Sequence, residues 1–284
     1  MTAFWTLFRG EVFKLFSRRR THLGFVSFLL LECGLLWMLS LDRVKARMTS
    51  SLEAAGYSSS GDFLSGPTFA LQIMMWTSFL LGALYLALVS GDIFAKEAED
   101  GVLRMMLCRP ITRARLVLAK ALTCLVYTFA LIAFIGLSAL LVGLWRHGMG
   151  SLFAFAPKDA GGLFAVFAPM EGLWRYLLAI PVLSLSIYPI CCVGLLLSCL
   201  PIKPSVATVL TLSIFFVDNI LSNIPFLEGL REFFFTPRIT SWTQVFQYSI
   251  PWETLLENQL WLAGANFTLI LIAVTIVESR DFKS

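Results

Sequence analysis

Few side chains in this sequence are able to do chemistry. His22 and His147 stand alone, with no HExxH around either. The six Cys (Cys33, Cys108, Cys124, Cys191, Cys192 and Cys199) show no paired spacing with them, so no zinc donor set exists. Cys191-Cys192, Met74-Met75 and Met105-Met106 are soft ligands, but they fall at different depths of the apolar pattern, and copper ligation is not expected. No GxxxxGK[ST] occurs, so the chain does not cradle ATP phosphates itself, and no cofactor is expected on it. What remains is polar residues inside apolar runs. A carboxylate at mid-bilayer costs roughly 2.5 to 3.5 kcal/mol on insertion scales, so Glu32 faces either a translocation path or partner, or a hydrogen bond inside the bundle. Asp218 and Asn219, followed by Asn223 and Pro225, either line that path or form a helix-end polar cluster. Asn258, Gln259 and Asn266 can bond across helices for about 0.6 kcal/mol each with no transport role. An enzyme built on Glu32 would lack a second carboxylate or a nucleophile context.

The elements that must position these residues are set by composition. Of 284 residues, 58% are hydrophobic and 14% charged, with 25 Phe, 8 Trp and 6 Tyr, and the mean hydropathy is +0.80. That much apolar surface needs lipid as solvent, so the chain reads as an all-α integral membrane protein forming one domain over 1–284. Apolar windows of about 20 residues fall at 22–41, 68–90, 116–144, 174–200, 205–224 and 255–277, predicting six transmembrane helices. No cleavable signal peptide is evident ahead of them, so the first span is expected to be retained. On the side holding residues 1–21, 91–120, Lys203 and the C-terminus there are 14 Lys and Arg, against 8 on the other, which places both termini in the cytoplasm. The net charge of +4 thus reports topology and gives no reason to expect nucleic acid. Thiols in apolar runs or on the cytoplasmic side are expected to stay reduced.

Residues 1–20 carry Phe4, Phe8, Val12, Leu15 and Phe16 at helical spacing with Arg9, Glu11, Lys14 and Arg18 mostly between them. This predicts an amphipathic helix lying in the inner leaflet against membrane lipid, aided by Arg18, Arg19 and Arg20. The inner loop 91–113 is the richest stretch. Asp92 can cap a helix over 92–109 whose Glu97, Glu99 and Asp100 suit its N-terminal half, whose Arg104 and Arg109 suit its end, and which Pro110 stops. Val102, Leu103, Met106 and Leu107 would form an apolar patch, a plug for a groove on a soluble protein. Thr112 restarts a helix, with Arg113, Arg115 and Lys120 at headgroup level. On the outer side, 42–67 is Ser/Gly-rich and reads as flexible, while the aromatic segments 146–173 and 225–254 read as interfacial or re-entrant short helices. Pro181 and Pro189 can break or kink the fourth span. Gly136, Ala139 and Gly143 favour close packing within the chain or to a second copy.

Phe94-Ala95-Lys96-Glu97, then Glu99-Asp100-Gly101-Val102-Leu103, then Arg109-Pro110-Ile111-Thr112-Arg113 and Lys120, resemble the E…G-[TV]-L…P-I-x-R…K signature of type-2 ABC transporter permeases, in the branch of multi-copper-enzyme-maturation permeases. The resemblance covers nearly the whole chain. It implies that 1–20 is an elbow helix and 92–109 a coupling helix seated in a separate ABC ATPase subunit, which holds ATP and Mg. It gives Glu97, Gly101, Leu103, Arg104, Met106, Leu107, Pro110, Arg113 and Lys120 structural and coupling roles. The function implied is the non-enzymatic permease subunit of an ABC exporter in a bacterial inner membrane, paired with a second copy or a sister permease. A scaffold or regulator docking a soluble partner through the same loop is the alternative.

Overall fold

The computed structural model describes residues 2–39, 41, 65–103, 112–155 and 164–280. Helix α1 (Thr2–Phe16) leads through a turn into α2 (Arg19–Leu39). The Thr21 hydroxyl closes that turn by donating to the Leu15 carbonyl at 2.8 Å. Next come α3 (Gly66–Thr77), one π-helical turn (Ser78–Gly82) and α4 (Ala83–Glu99), joined with helical backbone angles at both junctions. The long α5 (Arg113–His147) is followed by strands β1 (Leu152–Phe155) and β2 (Phe164–Phe167) and by α6 (Pro169–Ser198). Then α7 (Pro204–Ser222), a 3-10 turn (Pro225–Phe233), the short α8 (Phe235–Ile239), another 3-10 turn (Thr240–Phe246) and α9 (Trp252–Ser279) complete the chain.

Among the described residues, five helices are long and apolar enough to cross a membrane: α2, α5, α6, α7 and α9. The second apolar window is built differently, from α3, the π-helical turn and α4 in sequence, each shorter than the roughly 20 residues a span needs. Helix α6 forms the middle of the bundle, 72% of its apolar window being buried against 22% for α9. Neither proline breaks it. Pro181 and Pro189 sit inside one continuous helix, whose Tyr188 and Tyr176 hydroxyls donate to the carbonyls of Ala121 and Gly136 on α5 at 2.9 and 2.7 Å.

Helix α3 packs chiefly on α5, whereas α4 packs on α6 and α7. Two glycines permit the second approach. A Cβ on Gly91 would lie 2.6 Å from the Thr208 hydroxyl of α7, and one on Gly194 of α6 would lie 2.0 Å from the Ser90 hydroxyl of α4. The small residues of α5 are used inside the chain: a Cβ on Gly136 would meet Ile180 and Met74, one on Gly143 would meet the Gly66 backbone, and Ala139 is fully buried.

Two sequence expectations change. The outer segment 146–173 contains an antiparallel hairpin in place of short helices, pairing Leu152 with Phe167 and Phe155 with Phe164. Its inward residues Leu152 and Ala154 are fully buried, and Ser65 and Thr68 at the start of α3 donate to the Ser151 carbonyl at 2.6 and 3.2 Å. The second change is in the inner loop. No separate helix begins at Asp92, because 92–99 continues α4, buried from Asp92 to Ala95 and at Glu97 and ending at the exposed Glu99; Gly101 then turns the chain in a left-handed conformation, φ +73°, that favours glycine. The segment 225–254 does consist of short helical turns, with Trp242, Val245 and Phe246 buried.

Candidate functional site: a buried ion ring where three helices meet

Lys120 lies one and a half turns or more inside α5 and is completely buried. A buried ammonium with an unmet donor is costly, so its three hydrogens need three acceptors. They have them: Glu97 Oε2 of α4 at 2.6 Å, Glu11 Oε2 of α1 at 2.9 Å and the Ile93 carbonyl at 3.0 Å. The other oxygen of each carboxylate is taken by Lys14 Nζ, at 2.6 Å from Glu97 Oε1 and 2.9 Å from Glu11 Oε1. Two acids and two ammoniums therefore alternate in a closed ring, and Arg18 approaches Glu97 Oε1 from outside at 3.7 Å. Within the ring charge is balanced, which is the condition under which burial of ions is tolerable.

The ring sets protonation at its outer edge. Burial alone would raise the Glu11 carboxyl, but Lys120 and Lys14 outweigh it and hold the group below its ordinary value of 4.5. Burial alone would lower Lys14, but Glu97 and Glu11 outweigh it and hold the ammonium above its ordinary 10.5.

This geometry adds a packed face to α1 that the pattern of residues 1–20 did not announce. In the fold Glu11 and Leu15 are buried against α5, while Trp5 and Phe13 on other sides of the helix are exposed at 62% and 74%. Glu11, Lys14, Leu15 and Arg18 recur at spacings of three and four, one helical face, and that spacing was the available signal. Of the residues singled out by resemblance, Glu97 and Lys120 thus meet directly, and Glu11 and Lys14 join them unannounced.

The remaining candidates fall in separate places. Leu103 is 1% exposed and belongs to the core of the bundle, so it is not part of an exposed plug; Val102 is half-buried. Arg113 caps the end of α9, donating to the carbonyls of Val277, Glu278 and Arg280 at 3.1, 3.0 and 2.8 Å. Arg104, Met106, Leu107 and Pro110, with the rest of 104–111, lie outside the described residues. Beside the last turn of α4 is a recess of about 240 Å³ bounded by Ala95, Ala98, Glu99, Lys203 and Arg280.

Glu32 is completely buried in α2, where the Ser138 hydroxyl of α5 bonds its Oε2 at 2.6 Å and, among the described residues, none bonds its Oε1. Asp218 caps α8: it accepts from the Phe235 and Thr236 amides at 3.1 and 2.7 Å and from the Thr236 hydroxyl at 2.6 Å. Asn219 borders a cleft between α4, α6, α7 and α8. These three do not share a site with the ring.

A bundle in which, among the described residues, five helices are long and apolar enough to cross a membrane is that of a multi-pass membrane protein. Residues 6–277 match the family described as ABC-2 family transporter protein, and the chain belongs to that family. A search among curated proteins finds no match. The chain is therefore a permease subunit of an ABC transporter, and permeases of this family generally work with ABC ATPase partners.

Proposed function

We propose that this chain is the membrane subunit of an ATP-driven exporter and that the ion ring is where motion of an ATPase partner enters the bundle. The observation that carries this reading is the bond set of Lys120 and Glu97. It ties α1, α4 and α5 into one unit immediately before the Gly101 turn, from which the chain passes into 102–111. A push on that inner segment cannot move α4 alone, because Glu97 carries α1 and α5 with it. On this reading α1 is the elbow helix. The coupling segment is confined to the residues following Asp100 and is shorter than 92–109. The composite of α3, the π-helical turn and α4 is the second of six spans. Both termini face the cytoplasm of a bacterial cell, and the permease works as a pair, as two copies or with a sister chain, in the branch of multi-copper-enzyme-maturation permeases. Nucleotide and Mg would sit on the ATPase, so this chain needs no cofactor or catalytic group.

The test is purification from the native host in mild detergent, followed by identification of any co-purifying protein carrying GxxxxGK[ST]. Co-purification with the wild type is expected. Glu97→Lys, which places a third ammonium in the ring, is expected either to release the ATPase or to leave its hydrolysis running without transport. Glu97→Lys with normal transport would remove the ring from the mechanism, and a chain that never brings an ATPase with it would favour a scaffold or regulator.

A further inference from the structure

We infer that Glu32 is a proton-binding site, and that the proton it holds latches α2 to α5 and releases α2 when it leaves. The argument is a count of hydrogens. Ser138 Oγ lies 2.6 Å from Glu32 Oε2 and 2.6 Å from the Phe134 carbonyl, both within the usual O–H···O range. A serine hydroxyl has one hydrogen to give. Given to a carboxylate at Glu32, it leaves Ser138 and the Phe134 carbonyl as two bare oxygens at a separation where they repel. A proton on Glu32 Oε2 fills both contacts, because the acid then donates to Ser138 and Ser138 donates to Phe134. That arrangement also suits Oε1, which none of the described residues bonds, since a buried acid carbonyl costs far less to leave unbonded than a buried carboxylate oxygen.

The groups around Glu32 offer it no cation in place of the proton. Helix α3 contains no ionisable residue, and α5 has none between Tyr127 and Arg146. From Lys120 to Ser138 α5 rises about 27 Å, so the ring, with Glu11 and Lys14 of α1, stands at the far end of the helix. Tyr176 of α6 is within electrostatic reach, but it is buried and its hydrogen goes to the Gly136 carbonyl. Arg175 of α6 is committed to Glu171 and to backbone carbonyls. Tyr85 of α4 lies against Phe28, one turn before Glu32. On α2 itself His22 is about 15 Å away along the axis, and Cys33 is exposed. Once the proton leaves, the charge is stabilised only by reaching water. Helix α2 can move to allow this: 28% of its apolar window is buried, and from Glu32 to the end of that window at Met38 is about 9 Å. Helix α5 thus grips the α1–α2 pair at two points, through the ring at Lys120 and through one proton at Ser138.

The experiment uses the purified full chain in nanodiscs, without an ATPase, so its outcome is independent of the transporter reading. Infrared spectra at neutral pH should show the carbonyl stretch of a protonated carboxylic acid, lost in Glu32→Gln and displaced in Ser138→Ala. Absence of that band from the wild type, or its survival in Glu32→Gln, overturns the site. The wild-type spectrum and the Ser138→Ala displacement keep the test decisive should Glu32→Gln fail to fold. The latch is read by spin labels on Cys33 and on Leu141→Cys, at an exposed position of α5, in a chain also carrying Cys108→Ser. As the pH is raised and the band disappears, a second, longer distance is expected to appear in parallel. Glu32→Gln, which keeps a donor for Ser138 and cannot ionise, should hold the single short distance throughout. An unchanged distance in the wild type after loss of the band, or the same lengthening in Glu32→Gln, would overturn the latch.

Discussion

The two ends of the bundle handle buried charge in opposite ways. At the α1 end, Lys120, Lys14, Glu97 and Glu11 satisfy one another side chain to side chain across three helices far apart in sequence. At the hairpin end, charges satisfy the backbone. Arg175 donates to the carbonyls of Val245, Gln247 and Tyr248 at 2.9, 2.5 and 3.0 Å, stacks over Phe167 at 4.2 Å and pairs with its helix neighbour Glu171. Asp218 accepts backbone amides at the start of α8. A charge bonded to backbone fixes the path of a loop, and its partner cannot rotate away. A charge bonded to another side chain holds two helices together only while both rotamers persist, so the ring can be opened as a unit. The first kind builds a rigid lid; the second builds a joint.

The sharpest way to break this contrast is Lys120→Met. It strands two buried carboxylates with one shared lysine and should lower unfolding stability by about 3 to 5 kcal/mol, read as a loss of thermal midpoint in detergent. Adding Glu11→Gln and Glu97→Gln should recover a large part of that loss, because the cost is that of unpaired charge. Failure of the triple variant to recover would mean that the ring is valued for packing. Next in size, Arg175→Met leaves three carbonyls without their donor and should cost about 2 kcal/mol, with faster proteolysis around 245–248 as the local readout. If it exceeds the Lys120→Met loss, the ordering of the two ends is reversed. Asp218→Asn keeps an acceptor but loses the charge that holds two amides, and should cost about 1 kcal/mol, with accelerated amide exchange at Phe235 and Thr236.

The smallest effect is in pH. Glu11 has a folded value below 4.5, so its stabilisation is complete above 4.5 and is lost as the pH falls through the lower folded value. Lys14 has a folded value above 10.5, so its contribution is complete below 10.5 and is lost as the pH rises through the higher one. Thermal stability attributable to these two groups should be flat between those limits. Glu11→Gln should remove the acid limb and leave the alkaline one shallower. An acid limb of unchanged depth in Glu11→Gln would place the titration elsewhere.

Five apolar windows were legible because a run of about 20 apolar residues has few alternatives to a membrane helix, and they fall on α2, α5, α6, α7 and α9, whereas the window 68–90 falls on α3, the π-helical turn and α4 in sequence. Glu97 and Lys120 were singled out by the signature, but as a residue of a cytoplasmic helix and as a headgroup-level lysine, and the bond between them was not foreseen. Glu11 and Lys14 were not singled out, because a helix with aromatics on one side and charges on the other looks the same whether the charges face water or a buried lysine. The choice was made by Lys120, 109 residues from Glu11 in the chain. The end of α4 was misjudged for a related reason. Asp92 has the chemistry of a helix cap, but Gly91 nests against Thr208 and the residues up to Glu97 are held by Lys120, so tertiary packing carries the helix through. The hairpin was overlooked because its aromatics were weighed by composition. Alternation of period two, Leu152 and Ala154 inward with Phe153 between them, was present in the residues themselves.

The π-helical turn at Ser78–Gly82 works as a phase shifter. One residue beyond the α-helical repeat rotates everything after it by about 100° relative to everything before it. Without that offset, the stripe that fits α3 to α5 would run straight on, and α4 would point its small residues Ser90 and Gly91 away from α6 and α7. Deleting a single residue between Ser78 and Gly82 would leave composition and hydropathy almost untouched, yet it would turn Glu97 out of line with Lys120 and close one wall of the cleft beside Ala83. A sequence change that counts for nothing in any tally of residue types would thus disconnect the two ends of the molecule.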